Sequence, residues 1–231
     1  MPADTAAPTW PVISIADANA ALAGPGSPLE LVDGEINGVK MKLYANAPPT
    51  IRSILEMAAA TWPERDYIVY EDERVTFRAM MLAVQNFAAV LRDTYGIKKG
   101  DRVAIIMRNY PQWPVAFFAA SSLGAIATPM NSWWTGEELE YGVKLAVVDP
   151  QIFERLRDHL KDLPDLEHVV IARDKGEEHN DPRIASMEQY IGEANSWANL
   201  KEIGLPDVEL LPDDDATIMY TSGTTGKPKG A

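Results

Sequence analysis

The sequence contains no cysteine. Disulfides, thiolate metal sites and a cysteine nucleophile are therefore excluded, and folding needs no oxidising compartment. Histidine is nearly as scarce, His159, His168 and His179 being the whole supply. None belongs to a His-Glu-x-x-His arrangement, and His159 and His168 fall on different expected elements either side of Leu163-Pro164, so a zinc site has no local basis. Positive charge is also in deficit, with 21 Lys and Arg against 34 Asp and Glu and a formal net charge of −13. Such a chain repels DNA and RNA on average, which removes nucleic acid from the expected partners. It does not forbid a small phosphate ligand, because a few backbone N–H groups and one lysine hold a phosphate locally.

An unbroken membrane-length apolar run is missing too. The stretch from Asn109 to Gly136 carries no charged residue and is long enough to span a bilayer, yet Pro111, Pro114, Gly124, Pro129 and Asn131 interrupt it. No transmembrane segment is expected. The first seven residues carry Asp4 and no basic region, which argues against a secretory signal and for a cytoplasmic location.

What is present is a 231-residue chain of 46% hydrophobic residues, longer than one typical domain and able to bury a substantial core. Up to Pro28 it is rich in Ala, Pro and Gly, and reads as an N-terminal arm with one short helix, Ile15 to Ala23, capped by Ser14. From Leu29 to Tyr44 short apolar stretches flank Asn37-Gly38, a dipeptide suited to a tight hairpin turn. Thr50 caps an expected helix whose Ile51, Ile54, Leu55 and Ala58 share a face, with Pro63 beyond its end. Tyr67 to Tyr70 reads as a strand turning through Glu71 to Arg74 into Val75. Thr76 then caps the clearest helix, with Phe77, Met80, Met81, Val84, Phe87, Ala88 and Leu91 at helical spacing and Gly96 at its end.

Strands and helices then alternate. Strands are expected at Arg102–Met107, Ala125–Met130, Leu145–Val148, Val169–Ala172 and Ala216–Tyr220. Helices are expected at Trp113–Leu123, from a Thr135-x-x-Glu138 capping box, at Ile152–Leu160 and near Met187–Trp197. Apolar strands separated by helices imply an α/β fold, a mostly parallel sheet with helices on both faces, plus a small peripheral antiparallel hairpin. Ligands of such sheets bind at the carboxyl ends of the strands, where Thr221 and its successors would lie.

Those successors are Tyr220-Thr221-Ser222-Gly223-Thr224-Thr225-Gly226-Lys227-Pro228-Lys229-Gly230. Gly223 and Gly226 permit turns that aim successive amides inward. Thr221, Ser222, Thr224 and Thr225 supply hydroxyls, and Lys227 and Lys229 supply charge. A flexible linker would explain the Ser, Thr and Gly, but not two lysines bracketing a proline directly after a buried strand. It is not a Walker loop, which would need Gly in place of Thr221 and a hydroxyl residue in place of Pro228.

This segment resembles the signature of the adenylate-forming (AMP-binding) superfamily, which includes acyl-CoA synthetases, luciferases and peptide-synthetase adenylation domains. Gly100-Asp101-Arg102-Val103-Ala104 and Gly124-Ala125-Ile126-Ala127-Thr128-Pro129-Met130-Asn131 resemble the N-terminal domain of the same family. The resemblance covers about Pro48 to the end. Asn131-x-Trp133-Trp134-Thr135-Gly136 resembles wording of bacterial fatty-acid–CoA ligases. It implies reaction of a carboxylic acid, here a fatty acid, with ATP and Mg2+ to give acyl-AMP and pyrophosphate, then attack by the thiol of coenzyme A. Lys229 would be catalytic, and Thr221, Ser222, Gly223, Thr224, Thr225, Gly226, Lys227 and Lys229 would hold the nucleotide phosphates by prearranged donors and charge. Lys227 occupies a variable place in the family pattern. Thr221 lies near the magnesium in some relatives, but no metal ligand is assigned. Asp213-Asp214-Asp215 read as a solvated strand entry and Trp133-Trp134 as loop packing.

Residues 1–28 are thus expected to be an arm, and 29–231 the N-terminal part of an AMP-binding (adenylation) domain cut just after its phosphate loop. By the resemblance, the adenine, ribose and magnesium contacts, the hinge and the C-terminal domain with its catalytic lysine belong beyond Ala231, so the chain alone is expected to be inactive. The helix from Thr135 is expected to run through Tyr141-Gly142-Val143-Lys144 directly into Leu145, short of the usual about two to six connecting residues. An adenylation domain that loads a carrier protein, and a nonenzymatic nucleotide-binding or interaction module, are the alternatives left open.

Overall fold

In the computed structural model, residues 12–36, 38–131, 142–176, 179–221 and 229–230 are described. The chain divides into two compact units, Met1–Pro49 and Thr50–Ala231.

In the first unit, α1 (Ile15–Ala23) starts where the Ser14 hydroxyl accepts the Asp17 N–H, at 3.1 Å. Strands β1 (Leu31–Ile36) and β2 (Val39–Tyr44) pair antiparallel with Ile36 opposite Val39; Asn37 lies outside the described residues. Gly38 has φ +80°, the left-handed conformation tight hairpin turns require. Val32, Ile36, Val39, Met41 and Leu43 share one face, and the other carries the Lys42–Asp33 ion pair at 2.7 Å.

The second unit begins with α2 (Ile51–Thr61), held by a reciprocal capping box between Thr50 and Ser53. Its buried residue is Leu55, while Ile54, expected on the same face, is exposed. Strands β3 (Asp66–Tyr70) and β4 (Glu73–Thr76) form a hairpin whose turn is shorter than expected, because Glu73 and Arg74 already pair with Tyr70 and Val69. Helix α3 (Phe77–Asp93) starts at Thr76, whose hydroxyl accepts the Ala79 N–H. Its Met80, Val84, Phe87, Ala88 and Leu91 are fully buried.

Five parallel strands follow, in the spatial order β6-β5-β7-β8-β9: β5 (Arg102–Ile106), β6 (Ile126–Pro129), β7 (Val143–Val148), β8 (His168–Ile171) and β9 (Ile184–Ser186). Their two faces build two cores. Val103, Ile105, Leu145, Val147 and Val170 join α3 and α4 (Gln112–Ser122) in one. Ala104, Ile106, Ala146, Val148, Val169 and Ile171 join α5 (Pro150–Leu156) and the 3₁₀ helix Arg157–Asp162 in the other. The alternation follows from the two-residue period of a strand, and burial on both faces explains why residues 103–106, 145–148 and 169–171 are apolar without a break. The α/β sheet with helices on both faces is as the sequence implies.

Five expectations need correction. The helix expected over Ile152–Leu160 is α only to Leu156 and then tightens to 3₁₀. The helix expected near Met187–Trp197 is a four-residue α6 (Glu188–Ile191), interrupted at Gly192 with φ +66°, then a 3₁₀ helix at Ala194–Asn199. Before it lies β9, where no strand was expected. Val143 and Lys144 belong to β7 and not to a preceding helix: Val143 is buried and paired with Arg102, and Gly142, at φ +66°, turns the chain into the strand. The strand expected at Ala216–Tyr220 is a single parallel bridge, Thr217 beside Ala127, with ladder pairing resumed at β10 (Tyr220–Thr221) and β11 (Lys229–Gly230). The capping box at Thr135 and Glu138 lies outside the described residues.

A Cβ at residue 142 would stand 2.9 Å from Arg102 Nη1 and would force an L-residue into the left-handed region. Gly142→Ala is expected to destabilise the chain by roughly 1–2 kcal/mol in chemical denaturation.

Candidate functional site

Because all five strands of the sheet run the same way, their carboxyl ends share one edge. The chain passes from β5 to β6 on one side and then returns to β7 on the other, so the topological switch point lies between β5 and β7. A crevice outside the carboxyl ends at such a point is where open α/β sheets hold ligands.

Arg108 follows β5 and Asp149 follows β7. The Arg108 N–H donates to Asp149 Oδ2 at 3.1 Å, with the guanidinium Nε 3.5 Å from the same oxygen. Asp149 is fully buried and also caps α5 by accepting the Ile152 N–H at 3.0 Å. Around this pair the edge alternates cations and rings. Arg108 lies 5.1 Å over the Tyr110 ring, and Arg173 lies 5.0 Å from Tyr110 and 5.4 Å from Tyr70. Arg173 also forms a two-pronged ion pair with Glu73 of β4 at 3.0 and 3.1 Å. Its φ of +60° is unusual for a side chain-bearing residue.

Glu188 holds that conformation. Its carboxylate accepts the N–H groups of Arg173 and Asp174, the Ser186 hydroxyl and the Gln112 amide, at 2.7 to 3.3 Å. Burial nevertheless raises its pKa above the ordinary glutamate value, against the lowering effect of these bonds. None of these residues was singled out in the sequence. The rule that selected Thr221, position just after a strand's carboxyl end, would have drawn attention to Arg108 and Tyr110.

Residues 216–218 run alongside β6 in the parallel sense: Ala127 N–H donates to the Ala216 carbonyl at 3.0 Å and Ile218 N–H to the Ala127 carbonyl at 3.1 Å. The chain therefore advances toward the same edge. There Tyr220 pairs with Gly230 and Thr221 with Lys229, so the backbones of two expected site residues, Thr221 and Lys229, lie opposite each other. Ser222, Gly223, Thr224, Thr225, Gly226 and Lys227 lie outside the described residues, as do Trp133 and Trp134.

Asp214 is not a free strand entry. It accepts the Leu211 N–H at 2.7 Å and pairs with Lys99 at 2.6 Å, which together hold its carboxyl below the usual range. Asp213 and Asp215 are exposed. Of the histidines, His159 is exposed, His168 packs at a tilt against the Tyr95 ring with its pKa lowered by burial, and His179 lies 3.1 Å from Asp174. Among the described residues no three His, Asp or Glu side chains converge as a metal site, and no helix is long and apolar enough to cross a membrane.

Residues 55–231 match the model of a family described as AMP-binding enzyme. The chain belongs to that family. A long-chain-fatty-acid–CoA ligase of Escherichia coli O157:H7 is 30% identical over 202 residues, covering 77% of this chain and 35% of that protein. A 4-coumarate–CoA ligase 2 of Oryza sativa subsp. japonica is 33% identical over 161 residues, covering 67% and 28%. The chain thus spans about a third of the length of these curated relatives. Among solved structures, an anthranilate CoA ligase in complex with anthranoyl-AMP superposes with a TM-score of 0.67 at 23% identity, over 80% of this chain and 35% of that one. A long-chain-fatty-acid–CoA ligase from Archaeoglobus fulgidus gives 0.63 at 22%, over 80% and 36%. At these identities the superpositions establish the fold.

Asp149→Ala removes a helix cap and the acceptor of the part-buried Arg108 N–H bond, so a loss of about 1–2 kcal/mol is expected in denaturant unfolding. For Glu188 the folded state holds its proton more tightly than the unfolded chain. Its contribution therefore lowers stability as pH rises from the unfolded value of about 4.3 to the raised folded one. Stability measured against pH is expected to lose that downward component in Glu188→Gln.

Proposed function

We propose that this chain is the N-terminal part of an AMP-forming acyl-CoA synthetase that activates a carboxylic acid, a fatty acid by its relatives' names, with ATP to acyl-AMP and transfers the acyl group to coenzyme A. The carrying observation is the loop from Tyr220 to Gly230, which follows a segment parallel to β6 and is closed at its base by the Thr221–Lys229 pairing.

The donor set suits phosphate. Thr221, Ser222, Thr224 and Thr225 bring hydroxyls, Gly223 and Gly226 bring unhindered amides, Lys227 and Lys229 bring positive charge, and no carboxylate intervenes. Carboxylate attack on the α-phosphorus of ATP breaks the bond to the β-phosphate bridging oxygen, and negative charge develops on the departing pyrophosphate. Prearranged donors and the Lys229 ammonium stabilise that charge more in the transition state than in the ground state. Mg2+ accompanying the triphosphate would supply further charge neutralisation there. Coenzyme A then attacks the acyl carbon through its thiol, and AMP leaves. The location proposed is cytoplasmic, with residues 1–28 as an arm and 29–231 as the adenylation portion.

The test is carboxylate-dependent exchange of labelled pyrophosphate into ATP, followed by mass detection of the acyl-CoA product. A longer protein containing this chain is expected to catalyse both steps with a fatty acid, and its Lys229→Ala variant to lose about a hundredfold in exchange rate. Exchange without a CoA product would favour an adenylation domain serving a carrier protein. The 231-residue chain alone is expected to form no acyl-AMP, and calorimetric titration with ATP and with AMP reports whether it retains nucleotide binding.

A further inference from the structure

Between Leu200, where the last 3₁₀ helix ends, and Ala216, where contact with β6 begins, the chain makes no ladder pairing. Its backbone is held by side chains instead. Gln85 is 6% exposed on α3, and its Oε1 accepts both the Ile203 and the Gly204 N–H at 3.1 Å. An amide oxygen has two lone pairs, so one atom satisfies both donors. Asn86 donates to the Lys201 carbonyl at 2.9 Å and Arg52 to the Pro206 carbonyl at 2.7 Å. Lys99 binds the segment twice, donating to the Glu209 carbonyl at 3.1 Å and pairing with Asp214 at 2.6 Å. Leu200, Leu205 and Val208 pack on the larger core. Gly124, at φ +68°, leaves room for the crossing: a Cβ there would lie 2.8 Å from Lys99 Cγ and 2.9 Å from Leu210 Cδ2.

We propose that Gln85 and Lys99 are positioning residues for the phosphate loop, holding residues 201–215 as a strap of set length and register that delivers Thr217 to Ala127 and Thr221 to the carboxyl edge. β10 and β11 are two residues each, far short of a hairpin that is stable alone. Two backbone hydrogen bonds join residues 216–218 to Ala127, and their register depends on where the strap ends. Gln85 fixes its beginning and Lys99 its end.

The inference rests on reading Tyr220–Gly230 as the phosphate loop, but its test does not need a ligand. Amide hydrogen exchange is measured on the unliganded 231-residue chain and on Gln85→Met and Gln85→Glu, the first losing the acceptor at similar size and the second keeping it. Gln85→Met is expected to speed exchange at Ala127 and Ile218 by about tenfold, with β7 and β8 unchanged. Gln85→Glu is expected to restore the wild-type rate at pH 7. Faster exchange confined to Ile203 and Gly204, or a uniform rise across all strands, overturns the proposal. Should Gln85→Met fail to fold, Lys99→Met carries the same readout at Ile218. An ATP titration of the wild-type chain keeps the two readings apart, since absence of binding counts against the chain as a nucleotide binder and leaves the exchange result standing.

Discussion

The backbone pairing of β5 on both of its edges is the constraint from which the rest of this molecule follows. Arg102–Ile106 pairs parallel with β6 on one side and with β7 on the other. Parallel neighbours cannot be joined by a tight turn, so each connection must cross a face of the sheet, and the crossing segments become the covering layers. Burial of both faces then requires apolar side chains at the buried positions of the central strands, residues 103–106 and 145–148. Parallelism also gathers the carboxyl ends on one edge, and departure from β5 in both directions opens the switch point where Arg108 and Asp149 meet.

The elements most legible in the sequence were those specified by neighbours in the chain. Ser14, Thr50 and Thr76 each cap a helix because a hydroxyl reaches an amide three residues on, and that relation is visible in the letters. The reversal between β1 and β2 beside Gly38 was legible for the same reason. What escaped was decided elsewhere. Ala216–Tyr220 has strand-like composition, but its pairing depends on Ala127, about ninety positions earlier in the chain, and only one bridge forms. Met187–Trp197 has helical spacing, yet Gly192 is bonded to Glu188 and accepts the Trp197 indole N–H, a local arrangement that favours two short helices over one.

The same division runs through the site. A dense run of Thr, Ser, Gly and Lys announces phosphate chemistry without any knowledge of the fold. The edge network has no such signature. Glu73 and Arg173 are one hundred residues apart, and Gln112 and Glu188 are seventy-six apart. Nothing local marks Arg173 as a residue that will adopt a positive φ, because the amides that stabilise it converge on a carboxylate from another element. Composition singles out the donors proposed to face a ligand, whereas partners such as Glu73 and Arg173 are visible only once the fold brings them together.

The supports matter for a loop of this kind. Stabilising a departing pyrophosphate by fixed donors requires that the donors be in place before charge develops, since reorganising them during reaction would consume the gain. A hairpin base of two residue pairs cannot impose that order by itself. The order must be inherited from Ala127, whose own position is set by the ladder to Val103 in β5. The sheet therefore supplies direction, and the side chains that grip residues 201–215 supply register. On the function proposed for the loop, a substitution among those side chains would alter phosphate chemistry at the edge without touching a phosphate.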